Sequence, residues 1–309
     1  MPERYGIALP QSGAAAADLP DSMTAFAARA EQLGFHSLWT QEQTLGVDPS
    51  LEPIVNLAYV ASATNRIRLG TAAIIAPARN PVLLAKQLAS LDRLSGGRTI
   101  VGLALGDMPS LYEASGVTDG ARGARLDETV HVLKGFWTRE RFDHTSRYRR
   151  ITSAPMEPKP VQGPHPPIWF GGSSEAALSR ALREGQGWIG AGGGSFAVFE
   201  RATRRLREGL RGAKRPFTIA KKVYVAVEDT HERAYDRLVA WFAAHWAGFG
   251  DPHELTNTVG VFGTAQEVAE KLSELAAMGP DLITLNPVYN ESDQLERLAA
   301  DVIPAVRAG

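Results

Sequence analysis

Short apolar runs alternate with longer stretches of helical periodicity along almost the whole chain, and this rhythm limits the possible folds more than any single motif does. A run buried on both faces reads as a strand of a parallel sheet, and a parallel strand needs a crossover, usually a helix, before the next one. The strand-like runs are YGIAL (5–9), HSLWT (36–40), IRLGTAAII (67–75), TIVGLALG (99–106), PIWFGG (167–172), GWIGA (187–191), FTIAKKVYVAV (217–227) and DLITLNP (281–287). Helical patterns fall at 21–33, after Pro53, and at 81–94, 124–136, 174–183, 196–210, 230–246, 264–278 and 293 to the C-terminus. About eight βα units in 309 residues predict one (β/α)8 TIM barrel spanning residues 1–309. Residues 139–165 break the rhythm. Polar alternation followed by a proline-rich stretch predicts an exposed hairpin and connector inserted between units four and five, a kind of element that often packs on a partner subunit.

Composition narrows the chemistry. There is no cysteine, which removes disulfides, thiolate nucleophiles and metal–thiolate centres, so redox chemistry would belong to a bound organic cofactor or to a metal held by nitrogen and oxygen ligands. The formal net charge is −1 with both signs spread along the chain, leaving no basic stripe for nucleic acid. No apolar run reaches the roughly 20 residues that span a bilayer, and MPERYGIALP lacks a secretory pattern, so the expectation is a cytoplasmic protein. The histidines are scattered: His36 opens the second strand at the wrong end of the barrel, and the spacing of His231, His245 and His253 is not that of a metal-binding helix face, so no metal site is expected.

In a parallel barrel the site forms where strands end and loops begin. The second strand ends in Gln41-Glu42-Gln43, the fourth in Gly106-Asp107, the fifth in Gly171-Gly172-Ser173-Ser174, the sixth in Gly190-Ala191-Gly192-Gly193-Gly194 and the eighth at Asn286. In GGSSEA, glycines would let the backbone approach an anion while hydroxyls and a helix N-terminus donate to it, which predicts a phosphate seat. The same residues also suit an ordinary N-cap at Ser173 or Ser174. The cluster at 190–195 faces the same spot from the next strand, strengthening the phosphate reading, although it also suits a mobile loop. Glu42 and Asp107 are placed to be general acids if burial raises their pKa, or else to form salt bridges or caps. Trp241, Trp246 and Phe249 suit either an apolar lid or the core, and the loops at 44–52, 107–120 and 247–262, which would shape a substrate pocket, carry no decisive polar signature.

At these residues the sequence resembles the luciferase-like monooxygenase superfamily, especially its branch using the deazaflavin coenzyme F420. The matching segments are LGFHSLWTQEQ (33–43), RIRLGTAAIIAPARNPVLLAKQLASLDRLSGGRTIVGLALGD (66–107), PPIWFGGSSEAALSRALREGQGWIG (166–190), FGTAQEVAEKL (262–272) and DLITLNP (281–287). The resemblance implies a bulged third strand against the cofactor ring, with a non-proline cis peptide at Ala72-Ala73. It also implies Asp107 and Ser110 near the ring, Gly171, Gly172, Ser173 and Ser174 on the cofactor phosphate, and a homodimer; Gly190 and Ala191, from the cluster after the sixth strand, are expected to face that phosphate. One departure stands out: the family's usual acidic-histidine pair after strand two is here Glu42-Gln43, and Gln43 cannot exchange a proton near neutral pH.

The leading expectation is therefore an oxidoreductase moving a hydride between coenzyme F420 and a small organic substrate. The alternatives are a monooxygenase using FMN reduced by a separate reductase, and a flavin-binding barrel without catalysis.

Overall fold

The computed structural model describes residues 4–11, 21–46, 49–117, 120–246 and 248–308. Its strands are β1 (Arg4–Ala8), β2 (Ser37–Thr40), β3 (Arg68–Thr71), β4 (Ile74–Ile75), β5 (Thr99–Ala104), β6 (Phe142–Thr145), β7 (Arg150–Ala154), β8 (Ile168–Gly171), β9 (Gly187–Gly190), β10 (Thr218–Val227), β11 (Gly260–Gly263) and β12 (Leu282–Pro287). The helices are α1 (Asp21–Gln32), α2 (Pro53–Ala61), α3 (Pro81–Leu94), α4 (Pro109–Ala114), α5 (Arg122–Thr138), α6 (Glu175–Glu184), α7 (Phe196–Gly209), α8 (His231–His245), α9 (Pro252–Val259), α10 (Ala265–Ala277), α11 (Glu291–Arg297) and α12 (Ile303–Ala308). A π-helical turn, Leu298–Val302, joins the last two.

Eight parallel strands close on themselves in the order β1, β2, β3, β5, β8, β9, β10, β12 and back to β1. The register sets like against like: Ile7 lies beside Leu38 and Leu285, Leu38 beside Leu69, Val101 beside Ile168, and Val223 beside Leu285. These outward-facing side chains pack under the helix layer in one continuous core with Phe26, Leu57, Leu88, Leu133 and Leu178. Helix starts follow the sequence signals. The Asn80 side chain caps α3 by accepting from Val82 N at 2.9 Å, with Pro81 at the first helical position, and Thr264 and Glu267 form a capping box at α10.

The barrel interior is filled by Trp39, Ile100, Trp169, Ile189, Ala220 and Leu282. The Trp39 and Trp169 rings meet at 5.3 Å across the axis. Trp39 fits because its flanking strands carry Gly6 and Gly70, where a Cβ would come within 2.5 Å of the indole.

The apolar run at 67–75 predicts one unbroken third strand, but the strand stops at Thr71 and pairing resumes at β4; the peptide between them, Ala72–Ala73, is cis, as the family resemblance implies. The strand's partner β5 has Gly102 at the bulge, where a Cβ would sit 1.8 Å from the Thr71 carbonyl oxygen. The elements α4, α9 and β11 were not expected, and β11 extends the sheet by pairing with the far half of β10. Residues 139–165 hold the antiparallel β6–β7 hairpin, mostly exposed but anchored by a fully buried Phe142 against Phe136. Residues 47, 48, 118, 119 and 247, within the three pocket-shaping loops, lie outside the described residues. Among the described residues no helix is long and apolar enough to cross a membrane.

Candidate active site

At the C-terminal end of the barrel a cavity of about 370 Å³ opens over Trp39. Its walls come from the ends of β1, β2 and β12, from Ala72 of the cis peptide, and from the last turn of α8 and the start of α11. Ala8 and Ala72 contribute no bulk, while Gln41, Lys222, Asn286, His245 and Glu291 supply the polar groups. Gln11 fixes the floor. Its Nε2 donates to the Gln41 carbonyl at 2.7 Å and its Oε1 accepts from the Gln41 N–H at 2.6 Å, so β1's exit and β2's exit are locked together.

The most unusual charges lie on β10, where IAKKVYVAV places two lysines inside a buried strand. Neighbouring residues on a strand face opposite sides of the sheet. Lys222 accordingly points into the mouth, 7% exposed, and its Nζ donates to Gln41 Oε1. Burial lowers its ammonium from the ordinary lysine range to about 8. Lys221 points outward toward α7, 1% exposed, lowered to about 7 by burial and by the charge of Lys222. Its Nζ donates to the carbonyls of Ala191 at 2.6 Å and Gly194 at 2.7 Å. Neither amine has a carboxylate on it among the described residues.

Lys221 forms one wall of a second, smaller cavity of about 70 Å³, between the ends of β8 and β9. Gly172 and Ser173 face Gly190, Ala191 and Gly194 across it. Both glycine clusters singled out in the sequence therefore meet at one spot. Ser174 does not line this space: its Oγ accepts from Ala177 N at 3.3 Å and caps α6, and Gly171 lies beside Ala104 instead. Two of the three N–H donors of Lys221 hold the 191–194 loop, which leaves one for a guest. Glycine backbone, a serine hydroxyl and a buried cation suit a phosphate group.

The other expected residues fall elsewhere. Glu42, with its side chain 2% exposed, is consumed by the bulge: Oε2 accepts from Ile75 N at 2.6 Å, and Oε1 accepts from Arg79 Nη2 at 2.7 Å, Arg79 Nε at 3.0 Å and the Thr44 hydroxyl at 2.7 Å. Gln43 is half-buried and does not line the mouth cavity. Asp107 and Ser110 are exposed, on the bend before α4 and in its first turn, and they do not line it either. His245 does, stacked on Trp241 at 4.7 Å with its Nδ1 2.9 Å from the Trp241 carbonyl oxygen. Trp246 packs with Phe242 and Tyr224, while Phe249 is exposed. Sequence reasoning passed over Lys221 and Lys222, and weighed His245 only as a metal ligand. The signal for the lysines was there, as two adjacent charges in a strand buried along nearly its whole length.

Comparison with known proteins agrees with this anatomy. Residues 5–282 match the luciferase-like monooxygenase family, which is nearly the whole barrel. The chain belongs to that family. Among the relatives of this luciferase-like chain is the FMNH2-dependent dimethylsulfone monooxygenase of Pseudomonas putida, 28% identical over 90% of the chain and 85% of the relative. Another is the oxygenase component of the flavin-dependent trigonelline monooxygenase of Acinetobacter baylyi, 27% identical over 93% and 90%. Similar solved folds include a monooxygenase from Streptomyces bottropensis, with TM-score 0.84, 22% identity and 97% and 99% of the two chains covered. An F420-dependent secondary alcohol dehydrogenase has TM-score 0.83 at 19% identity, with 99% and 100% covered.

Proposed function

We propose that the protein is a flavin-dependent monooxygenase that takes FMN, reduced by a separate reductase, and acts on a small organic substrate in the mouth cavity. The observation that carries this reading is the buried Lys221 at the small cavity between β8 and β9, together with two relatives of nearly full length that are named for reduced FMN or flavin. A terminal phosphate monoester is close to dianionic at neutral pH and can end in a small seat, whereas the phosphodiester of a deazaflavin carries one charge and must continue outward. A buried ammonium favours the former.

When bound, the reduced flavin supplies the electrons that activate oxygen. The residues of this chain do the rest. Gly172, Ser173, Gly190 and Ala191 would hold the phosphate with Lys221, and the bulge at Ala72–Ala73 would face the ring. Lys222, oriented by Gln41, presents a proton donor to oxygen atoms of the substrate, and His245 lines the same cavity. These two groups take over the proton handling that Gln43 cannot perform and that Glu42, fully bonded, is not free to perform. Trp39 closes the floor and Trp241 a wall, which limits access of water. Exposed Val55 and Tyr59, one turn apart on α2, and Leu83 on α3 give the apolar surface for a homodimer.

Hydride transfer with coenzyme F420 is the second reading, supported by the sequence resemblance over residues 66–107. Titration of the apoprotein with FMN, riboflavin and coenzyme F420, following fluorescence, separates the two. The expected result is FMN binding well above riboflavin, with Lys221→Met or Ser173→Asp removing the difference by about tenfold or more while leaving riboflavin unaffected. Tight binding of coenzyme F420 with weak FMN binding would transfer the assignment to the deazaflavin enzyme. Binding with neither oxygen uptake nor cofactor oxidation in the presence of a reductase would indicate a barrel that binds without turnover.

A further inference from the structure

The opposite end of the barrel holds a cavity of about 380 Å³, as large as the one at the mouth. Its rim is made by residues that begin strands: Arg4 of β1, His36 just before β2 and Arg68 of β3, joined by Gln162 and His165 of the connector. Its apolar floor is Ile100 and Trp169. Among the described residues no carboxylate lines it.

The charges there are poorly compensated. Arg68 donates through Nη2 to Gln162 Oε1 at 2.9 Å and more distantly to the Thr99 carbonyl at 3.4 Å, while its buried Nε has no partner. A carboxylate that acts on it is Asp92, whose oxygens accept from Val161 N at 2.7 Å, Gln162 N at 3.0 Å and Gln162 Nε2 at 2.7 Å. Arg4 disfavours the charge of Arg68, and burial first, then both arginines, hold His36 down to about 4. A buried N–H without an acceptor is costly, and two like charges facing an open cup increase the cost. A bound anion would relieve both.

We propose that the cavity at the strand-start end of the barrel is a second binding site, for a small oxyanion gripped by Arg68 and Arg4, with any apolar portion of the ligand lying on Trp169. The anion is a carboxylate or a phosphate, since the two arginines recognise the oxygens that both share. The site also has a reporter. Trp169 packs on Trp39, whose Nε1 donates to Ser37 Oγ at 2.8 Å, and His36 Nδ1 lies 3.0 Å from that same oxygen. Occupancy therefore changes the surroundings of both indoles. The inference is independent of the cofactor reading, and either can fail alone.

The test is calorimetric and tryptophan-fluorescence titration with inorganic phosphate and, separately, with succinate. Both are run in the Ser173→Asp background, so that the seat between β8 and β9 does not contribute. The expected result is one saturable site, weakened by sodium chloride and weakened about tenfold by Arg68→Gln and by Arg4→Gln. Preference between the two anions identifies the ligand class. Arg4 lies at the exposed start of β1, so Arg4→Gln decides the matter even where Arg68→Gln disturbs the fold. Absence of saturable binding, or equal isotherms for the parent and the Arg4→Gln protein, would overturn the proposal.

Discussion

Two groups of buried charge flank the mouth of this barrel, and they are built on opposite plans. At the exit of β2, Glu42 is surrounded by donors, with the Ile75 amide, the Arg79 guanidinium and the Thr44 hydroxyl all on its two oxygens. On β10, Lys221 and Lys222 are as deeply buried but have only neutral oxygens to donate to. The first arrangement is complete without a ligand and holds the backbone after the cis peptide in place. The second is incomplete, and an ammonium kept in a low-dielectric site without a counter-ion is stable only because the rest of the fold sustains it. A buried charge with all its partners marks architecture, and one lacking them marks a place where something negative, or a developing negative charge, belongs.

Removing one member of the complete group is expected to have the largest effect. Glu42→Ala leaves Arg79 buried beside its remaining partner Glu52, and should lower stability by about 3–5 kcal/mol in urea denaturation. A loss below about 1 kcal/mol would place Glu42 with the lysines and erase the contrast. Lys222→Met should do the reverse, reducing kcat about a hundredfold while leaving the denaturation midpoint unchanged or raised, because an apolar side chain replaces a desolvated charge. Equal losses of activity and stability would make Lys222 part of the scaffold.

A third test is the pH dependence. Folding lowers both amines, to about 7 for Lys221 and about 8 for Lys222, below the ordinary 10.5. Between those values the unfolded chain binds more protons than the folded one, so stability rises with pH across the window and the penalty is fully present below it. Urea midpoints at pH 7, 8.5 and 10 should rise for the parent relative to the Lys221→Met/Lys222→Met protein, and bound phosphate should flatten the difference. Parallel profiles would mean that the two amines titrate as they do in the unfolded chain.

Most of the barrel was legible because its signals are local and repeated. Each stave reads as an apolar run, and helices such as α3 and α10 announce themselves through Asn80-Pro81 and Thr264 with Glu267. What was missed lacked such a pattern: PHELTNTV of α9 has no apolar stripe, and GVFG of β11 is four residues long with a glycine at each end. The break in the third strand could not come from the alternation of residues, since Ala72 and Ala73 fit a strand as well as a bulge, and only the family resemblance placed it. At the site, the meeting of the two glycine clusters was legible because both follow strand ends. For Glu42 the salt-bridge alternative was legible but its partners were not, because Ile75 and Arg79 lie more than thirty positions away in sequence. The cavity at the strand starts was the least legible of all, since Arg4, His36, Arg68 and His165 come from four separate segments.

The ten-residue β10 is bonded along one edge to β12 and along the other first to β9 and then to β11. It is thus the best-braced stave of the barrel, and it carries the amine at the mouth. The surfaces facing that amine, Trp241, His245 and the turn from Tyr289 to Glu291, hang from helix ends and a loop. A lineage or a designer seeking a new substrate can therefore redraw the walls through short peripheral changes while the charge stays where it is. The division of labour resembles a fixed tool post with interchangeable jaws: what is hardest to reinvent is the least disturbed by trial.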